Sequence, residues 1–176
     1  MKEMAWAMVM VMKVIIQIPC YNEEATIGEV VRELPNEVEG VDQIEYLIID
    51  DGSTDSTVNA AIAAGAHHVV RLGTNRGYGI AFHTGIRRCQ ELGADIIVNT
   101  DGDNQYRGRC VERLIRPIVD EHVDIVIGSR PIETISDFSW LKKKLQHIGS
   151  RIASRFAGTR VPDVLWPPFE TDTLWC

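Results

Sequence analysis

The sequence predicts an α/β fold, a mostly parallel sheet flanked by helices. Two observations predict it. Short apolar runs alternate with longer stretches of helical periodicity, and the runs themselves (VIIQI, EYLII, DIIVN) are almost continuously apolar. A strand with one wet face alternates apolar and polar residues, whereas an unbroken apolar strand is covered on both faces, as in a parallel sheet between helices. A chain of 176 residues is long enough for one such domain with a true core.

The first strand is expected over residues 13–18. A helix follows over 25–34, with Ile27, Val30, Val31 and Leu34 on one face and Pro35 as its stop. EYLII (45–49) is a second strand, and Asp55 can cap a helix that runs through alanines to Gly65. HHVVRL (67–72) is a third, shorter strand, and 79–92 is a helix ended by Gly93. DIIVN (95–99) is the fourth strand, 109–121 a helix with an irregularity at Pro117, and 124–127 a fifth strand.

Composition narrows the class. Hydrophobic residues at 45% and charged residues at 24% suit a soluble globular domain, and a net charge of −7 argues against nonspecific nucleic-acid binding. Cys20, Cys89, Cys110 and Cys176 have no C-x-x-C spacing and read as reduced thiols of a cytosolic protein. The apolar stretch 4–12 is too short to span a bilayer and leads to no small-residue cleavage site. Residues 1–12 read as an N-terminal extension, either from a start codon assigned too early, with Met8, Met10 and Met12 as candidate starts, or as a mobile tail. Residues 138–162 hold no acidic residue; Lys142, Lys143, Lys144, Arg151, Arg155 and Arg160 are interleaved with Leu141, Leu145, Ile148, Ile152 and Phe156 at helical spacing. This basic amphipathic helix is either a solvated face or a contact with an anionic membrane surface or a phosphate-bearing acceptor.

Ligands on a parallel sheet sit at the carboxyl ends of its strands. That rule selects IPCYNEE, DDGSTDST, NRGYG, TDGDNQY and GSR, one segment after each expected strand. Asp101 and Asp103 flank one glycine at the end of the fourth. They are either an Asp-Gly turn or a pair of hard carboxylates for Mg²⁺ or Mn²⁺ beside a phosphate. GYGIAFHTG lacks G-x-G-x-x-G spacing and follows the third strand, so its glycines read as sites of close helix packing and His83 as a packing residue.

IPCYNEEATIGEVV, IIDDGSTDST, NRGYGIAFHTGI, NTDGDNQY and VIGSR together resemble family 2 glycosyltransferases of the GT-A, Rossmann-like fold, in their order and spacing over residues 13–163. The nearest likeness is to dolichol- or polyprenyl-phosphate sugar transferases. The resemblance implies a nucleotide-sugar-binding core at 13–137, with Pro19, Tyr21 and Glu23 around the base and ribose of the donor. Tyr21 would offer a ring face and Glu23 an acceptor. At the second strand's end, Ile49, Asp50 and Asp51 join this set; Asp51 would accept from a base N–H while Asp50 shapes the turn, the alternative for both aspartates being helix capping. Asp101 and Asp103 resemble the D-x-D motif, which with Gln105 implies Mg²⁺ or Mn²⁺ held against the donor diphosphate. Gly102 would let the backbone approach the donor, and Arg130 would bring a cation to the phosphates, or else is a surface arginine.

The implied reaction, with Asp101, Asp103 and Arg130 as its catalytic residues, moves a hexose from a nucleotide sugar of the GDP-mannose or UDP-glucose type to a polyprenyl or dolichyl phosphate, with inversion. A phosphate monoester is already anionic near neutral pH, whereas an alcohol acceptor needs a carboxylate base. Few carboxylates follow residue 137, which favours the phosphate. The implied partners are a nucleotide-sugar donor and a lipid phosphate, with no nucleic acid, at the cytoplasmic membrane face through residues 138–160. Relatives of this kind continue past V-P-D with a T/S-S-G-F-R-like segment, where this chain reads VPDVLWPPFETDTLWC. Leu-Trp-Pro-Pro-Phe read one base on can encode Ser-Gly-Leu-Arg-Ser, so a frameshift after about Asp163 is expected, with 163–176 an aberrant tail and the acceptor part incomplete. The alternatives are a non-catalytic nucleotide-sugar binder and a nucleotidyltransferase of similar fold, although the latter carries a glycine-rich basic loop after its first strand and IPCYNEE is neither.

Overall fold

Every residue from Val14 to Cys20 is buried, and this makes β1 (Lys13–Cys20) the centre of the sheet. In this computed structural model, residues 11–103, 108 and 110–128 are described. β1 pairs in parallel with β2 (Gln43–Asp50) on one side and β4 (Ile96–Asn99) on the other, and β2 pairs with β3 (His68–Arg71), giving the order β3-β2-β1-β4. The unbroken apolar runs are thus explained, since the sheet is covered on both faces. Val14, Ile15, Ile16 and Ile18 are all at 0% exposure, each contributing about 1.5–3 kcal/mol relative to an exposed side chain.

Alternate residues of β1 point to opposite layers. Val14, Ile16, Ile18 and Cys20 join Ile48 and Val98 under α1 (Ile27–Glu33), α2 (Thr57–Ala64) and α4 (Cys110–Glu121), where Ile27, Val31, Ala61, Val111 and Ile115 meet them. Ile15, Leu47 and Ile49 pack against Ala81 and Cys89 of α3 (Tyr78–Glu91) on the other face. α3 lies so close that a Cβ on Gly85 would collide with the Gln17 side chain and with Ile49 Cδ1. The close helix packing expected of the glycine run is therefore real at Gly85, while Gly77 and Gly79 have open space around them. Gln17 is fully buried in this layer; its Nε2 donates to Asn99 Oδ1 at 2.9 Å, and its Oε1 has no partner among the described residues.

The elements fall close to their expected places, with α4 carrying Pro117 inside it, and two differences stand out. Ser56, not Asp55, is the N-cap of α2, although Asp55 Oδ1 still accepts the Thr57 N–H at 3.0 Å; Gly65 ends the helix in the left-handed conformation, as expected. Residues 124–128 are not a strand, and Ile125 is 79% exposed; among the described residues no strand pairs with them. Cys20 and Cys89 are free and sealed in the core, as expected of reduced thiols, while Cys176 lies outside the described residues.

The chain divides into two units, Met1–Val126 and Ile127–Cys176, and only Ile127 and Gly128 of the second are among the described residues. Most of the N-terminal extension, Gln105, Arg130, the basic amphipathic helix and the tail lie outside the described residues. Among the described residues no helix is long and apolar enough to cross a membrane.

Candidate functional site

Because the strands are parallel, the segments after β1, β2 and β4 emerge at one edge. Pro19 pairs with Ile49 and Cys20 with Asp50, and β4 ends at Asn99 opposite Gln17. The segments after β1 and β2 are bound together by reciprocal hydrogen bonds. Asn22 N–H donates to Ser53 Oγ (2.9 Å), and Asn22 Oδ1 accepts the Thr54 N–H (2.8 Å). Glu23 N–H donates to Thr57 Oγ1 (2.8 Å), Glu24 N–H to Asp55 Oδ2 (3.2 Å), and Ser56 N–H to Glu24 Oε2 (2.8 Å). Sequence reasoning missed Asn22, Ser53 and Thr57 in this role. The available signal is that NEE and STDST are short, complementary polar runs at the ends of adjacent strands.

The expected donor residues are distributed along this edge. Pro19 and Ile49 are buried, and Tyr21 stands at the rim with 43% exposure, its ring accessible. Asp50 and Asp51 are each only 5% exposed. Asp50 Oδ1 accepts the Ser53 N–H at 2.9 Å and so shapes the turn. Asp51 Oδ1 accepts from the Arg76 N–H (2.7 Å) and Oδ2 from the Gly77 N–H (2.9 Å), fixing the start of α3 to the end of β2. Gly52, at φ +82°, lies where a Cβ would fall 2.6 Å from the Asn75 nitrogen.

The Asp-Gly-Asp segment closes the edge. Thr100 N–H donates to the Gln17 carbonyl at 3.1 Å, which continues the β1–β4 pairing to its last step. Gly102 is buried while Asp101 and Asp103 on either side are half-buried. A Cβ at Gly102 would meet Cys20 Cβ at 3.1 Å, Ile27 Cδ1 at 3.4 Å and Glu23 Cγ at 3.5 Å, so the loop is seated on the end of β1 and the start of α1. The structure thus brings Glu23 and Gly102 together.

The electrostatics of this edge are acidic. Burial raises the Glu23 carboxyl above its ordinary value, with the charges of Asp103 and Asp55 adding to it and a hydrogen bond from Thr26 opposing. The Cys20 thiol is pushed up to about 12, first by burial and then by Asp50, Glu23, Asp55 and Asp51. Carboxylates that disfavour one another's charge are an environment a cation relieves. Among the described residues no three His, Cys, Asp or Glu side chains converge as a closed cage. Mg²⁺ and, by the same hard-ligand logic, Mn²⁺ are usually held by one or two carboxylates together with substrate phosphates. Asp101 and Asp103 fit such an ion by donor chemistry.

The profile of the glycosyl transferase family 2 matches residues 15–168. The chain is 33% identical over 150 residues to the UDP-N-acetylglucosamine–dolichyl-phosphate N-acetylglucosaminyltransferase of Methanococcus voltae, covering 75% of this chain and 58% of that relative. It is 36% identical over 121 residues to an uncharacterized protein of Methanocaldococcus jannaschii, covering 69% of this chain and 48% of that relative. The chain spans about half the length of these two curated relatives. Among solved structures, glucosyl-3-phosphoglycerate synthase from Mycobacterium tuberculosis in complex with UDP matches with a TM-score of 0.51 and 30% identity, covering 62% of this chain and 40% of that one. The same enzyme in complex with phosphoglyceric acid matches equally well, with a TM-score of 0.51. With the four-stranded parallel sheet, the loops on its carboxyl edge and a profile that spans most of the sequence, the chain belongs to glycosyl transferase family 2, a family of sugar-transferring enzymes.

Proposed function

We propose that this chain carries the donor site of a metal-dependent, inverting glycosyltransferase that moves a hexose from a nucleotide sugar to a polyprenyl or dolichyl phosphate. The observation that carries the reading is the Asp101–Gly102–Asp103 loop seated on the carboxyl edge beside Glu23 and within one sheet's width of Asp50 and Asp51. Tyr21 at the rim offers its ring to the base, with Pro19 and Ile49 as apolar backing. Asp51 holds the α3 loop with both oxygens and keeps further lone pairs for a base N–H. Asp101 and Asp103, with Gln105, would hold Mg²⁺ or Mn²⁺, and Arg130 would add a second cation at the phosphates. Such an ion supplies Lewis-acid neutralisation of the departing nucleoside diphosphate.

In the transfer, an oxygen of the acceptor phosphate forms a bond to the anomeric carbon as the bond from that carbon to the nucleotide diphosphate breaks. The acceptor is already an anion, so no residue need take its proton. The relative that acts on dolichyl phosphate supports a lipid-phosphate acceptor, and peripheral contact of residues 138–160 with the cytoplasmic face of an anionic membrane fits it. UDP in the names of the Methanococcus relative's donor and of the matched complex favours the uridine branch over the GDP-mannose type.

The test is a thermal-shift titration with UDP-glucose, GDP-mannose and ATP, each with and without Mn²⁺. A ligand at a hundred times its dissociation constant stabilises by about 2.7 kcal/mol, well within reach of the method. A metal-dependent shift with one nucleotide sugar, lost in Asp103→Ala, is the expected result. No shift with any of them from a folded sample would sink the reading.

A further inference from the structure

Thr26 is the N-cap residue of α1, where a threonine hydroxyl ordinarily accepts a backbone N–H of the first turn. Here it makes no such bond. Its Oγ1 instead lies 2.9 Å from the carbonyl oxygen of Gly102, across 76 residues of sequence, and 2.9 Å from Glu23 Oε2. A carbonyl oxygen and a carboxylate oxygen both only accept, so the single hydroxyl proton of Thr26 is shared between Gly102 and Glu23. A side chain placed to cap its own helix is directed instead to the middle residue of the Asp-Gly-Asp loop and to Glu23.

The consequence follows from peptide geometry. The unit from the Gly102 carbonyl to the Asp103 nitrogen is planar, so holding one oxygen fixes the plane and the direction in which the Asp103 Cα departs. Gly102 is already the pivot, seated so closely that an added Cβ would lie 3.1 Å from Cys20 Cβ, 3.4 Å from Ile27 Cδ1 and 3.5 Å from Glu23 Cγ. A pivot without a tether can still rotate its peptide plane; the Thr26 hydroxyl is placed to stop that rotation. We infer that Thr26 is a positioning residue for the Asp101–Asp103 pair, fixing their relative direction through the Gly102 carbonyl so that both carboxylates face one divalent cation. This rests on the reading above that Asp101 and Asp103 hold such an ion. Partners that orient metal ligands in this way typically change metal affinity by about 10- to 100-fold when removed.

The test compares wild type, Thr26→Val, Thr26→Ser and Asp103→Ala in the full chain, with two readouts. Mn²⁺ alone is titrated for affinity, and amide exchange is followed over residues 100–103 in metal-free protein. The tether predicts that Thr26→Val weakens Mn²⁺ by about tenfold or more and speeds exchange in that segment roughly fivefold, while Thr26→Ser preserves both. Asp103→Ala is expected to abolish Mn²⁺ binding with little effect on the Thr26 contact. Should Thr26→Val not fold, Thr26→Ala serves with the same expectations. Unchanged Mn²⁺ affinity and unchanged exchange in Thr26→Val overturn the inference, as does a serine variant as impaired as the valine. If wild type and Asp103→Ala handle Mn²⁺ alike, the metal reading fails and takes the positioning role with it, even where faster exchange shows the tether itself to be real.

Discussion

The carboxylate of Asp51 accepts two successive backbone amides, Arg76 at 2.7 Å and Gly77 at 2.9 Å, and so joins the end of β2 to the start of α3. Asp51 is 5% exposed, so these bonds are made out of water and are strengthened by the charge.

Asp51→Asn keeps the shape but leaves only one oxygen to accept, and turns an amide group toward a backbone N–H. The expected cost is about 1.5–3 kcal/mol, the range for hydrogen bonds to a charged group. It is read as a lower urea midpoint at unchanged slope. A midpoint equal to wild type would show that the α3 loop is held by something else.

Gly52 and Gly65 make a matched pair. Both have positive φ, +82° and +110°, but a Cβ at Gly52 would lie 2.6 Å from the Asn75 nitrogen while nothing lies within 4 Å of one at Gly65. Gly65→Ala therefore carries only left-handed strain, about 1–2 kcal/mol. Gly52→Ala adds a backbone collision and is expected to cost about 1–3 kcal/mol more. Denaturant unfolding of the two variants side by side checks the order, and equal costs would show that the loop gives way.

The strands were legible because burial on both faces leaves an unbroken apolar signature, and β1, β2 and β4 carry it at full strength. The expected strand at 124–127 has the same local composition and pairs with no strand among the described residues; strand formation needs a neighbour, which no window of sequence contains. The site was legible in its residue types and not in their bonds. Asp50 and Asp51 are adjacent in sequence, yet one shapes its own turn and the other reaches to residues 76 and 77. Thr26 and Gly102 meet only because β1 and β4 are neighbours. Motifs gave the inventory of the edge; the tethers between loops depend on strand order.

At the opposite end of the strands, Glu45 makes contacts of 2.9 Å with Lys13 Nζ and 2.7 Å with His68 Nε2. Burial alone would raise its carboxyl, but the hydrogen bonds and charges of Lys13 and His68 outweigh it and hold the group below its ordinary value of 4.5. A carboxyl depressed by folding contributes stability that is present above the unfolded value and is lost as pH falls through the folded one. The unfolding free energy of wild type should therefore exceed that of Glu45→Gln most clearly near neutrality, with the gap closing as pH drops below about 4. A gap that stays constant down to about pH 3 would mean that the carboxylate's charge contributes nothing.

Cys20 offers a reporter for the Asp-Gly-Asp loop. Its thiol, pushed up to about 12, is ionised in only roughly one molecule in ten thousand at pH 8, and its Cβ would be 3.1 Å from a Cβ on Gly102. A thiol-directed reagent must therefore wait for the loop to lift. Cys89, pushed up to about 11 by burial, lies in the other layer under α3 and waits for a different opening. In a labelling time course read by peptide mass, Mn²⁺ with UDP should slow Cys20 and leave Cys89 unchanged, because only the first opening is coupled to the ligand. Equal slowing of both would indicate global stabilisation, with no special link to the loop. Rapid labelling of Cys20 without ligand would show that the seat of Gly102 is open in solution, and the placement of Asp101 and Asp103 would have to be revised.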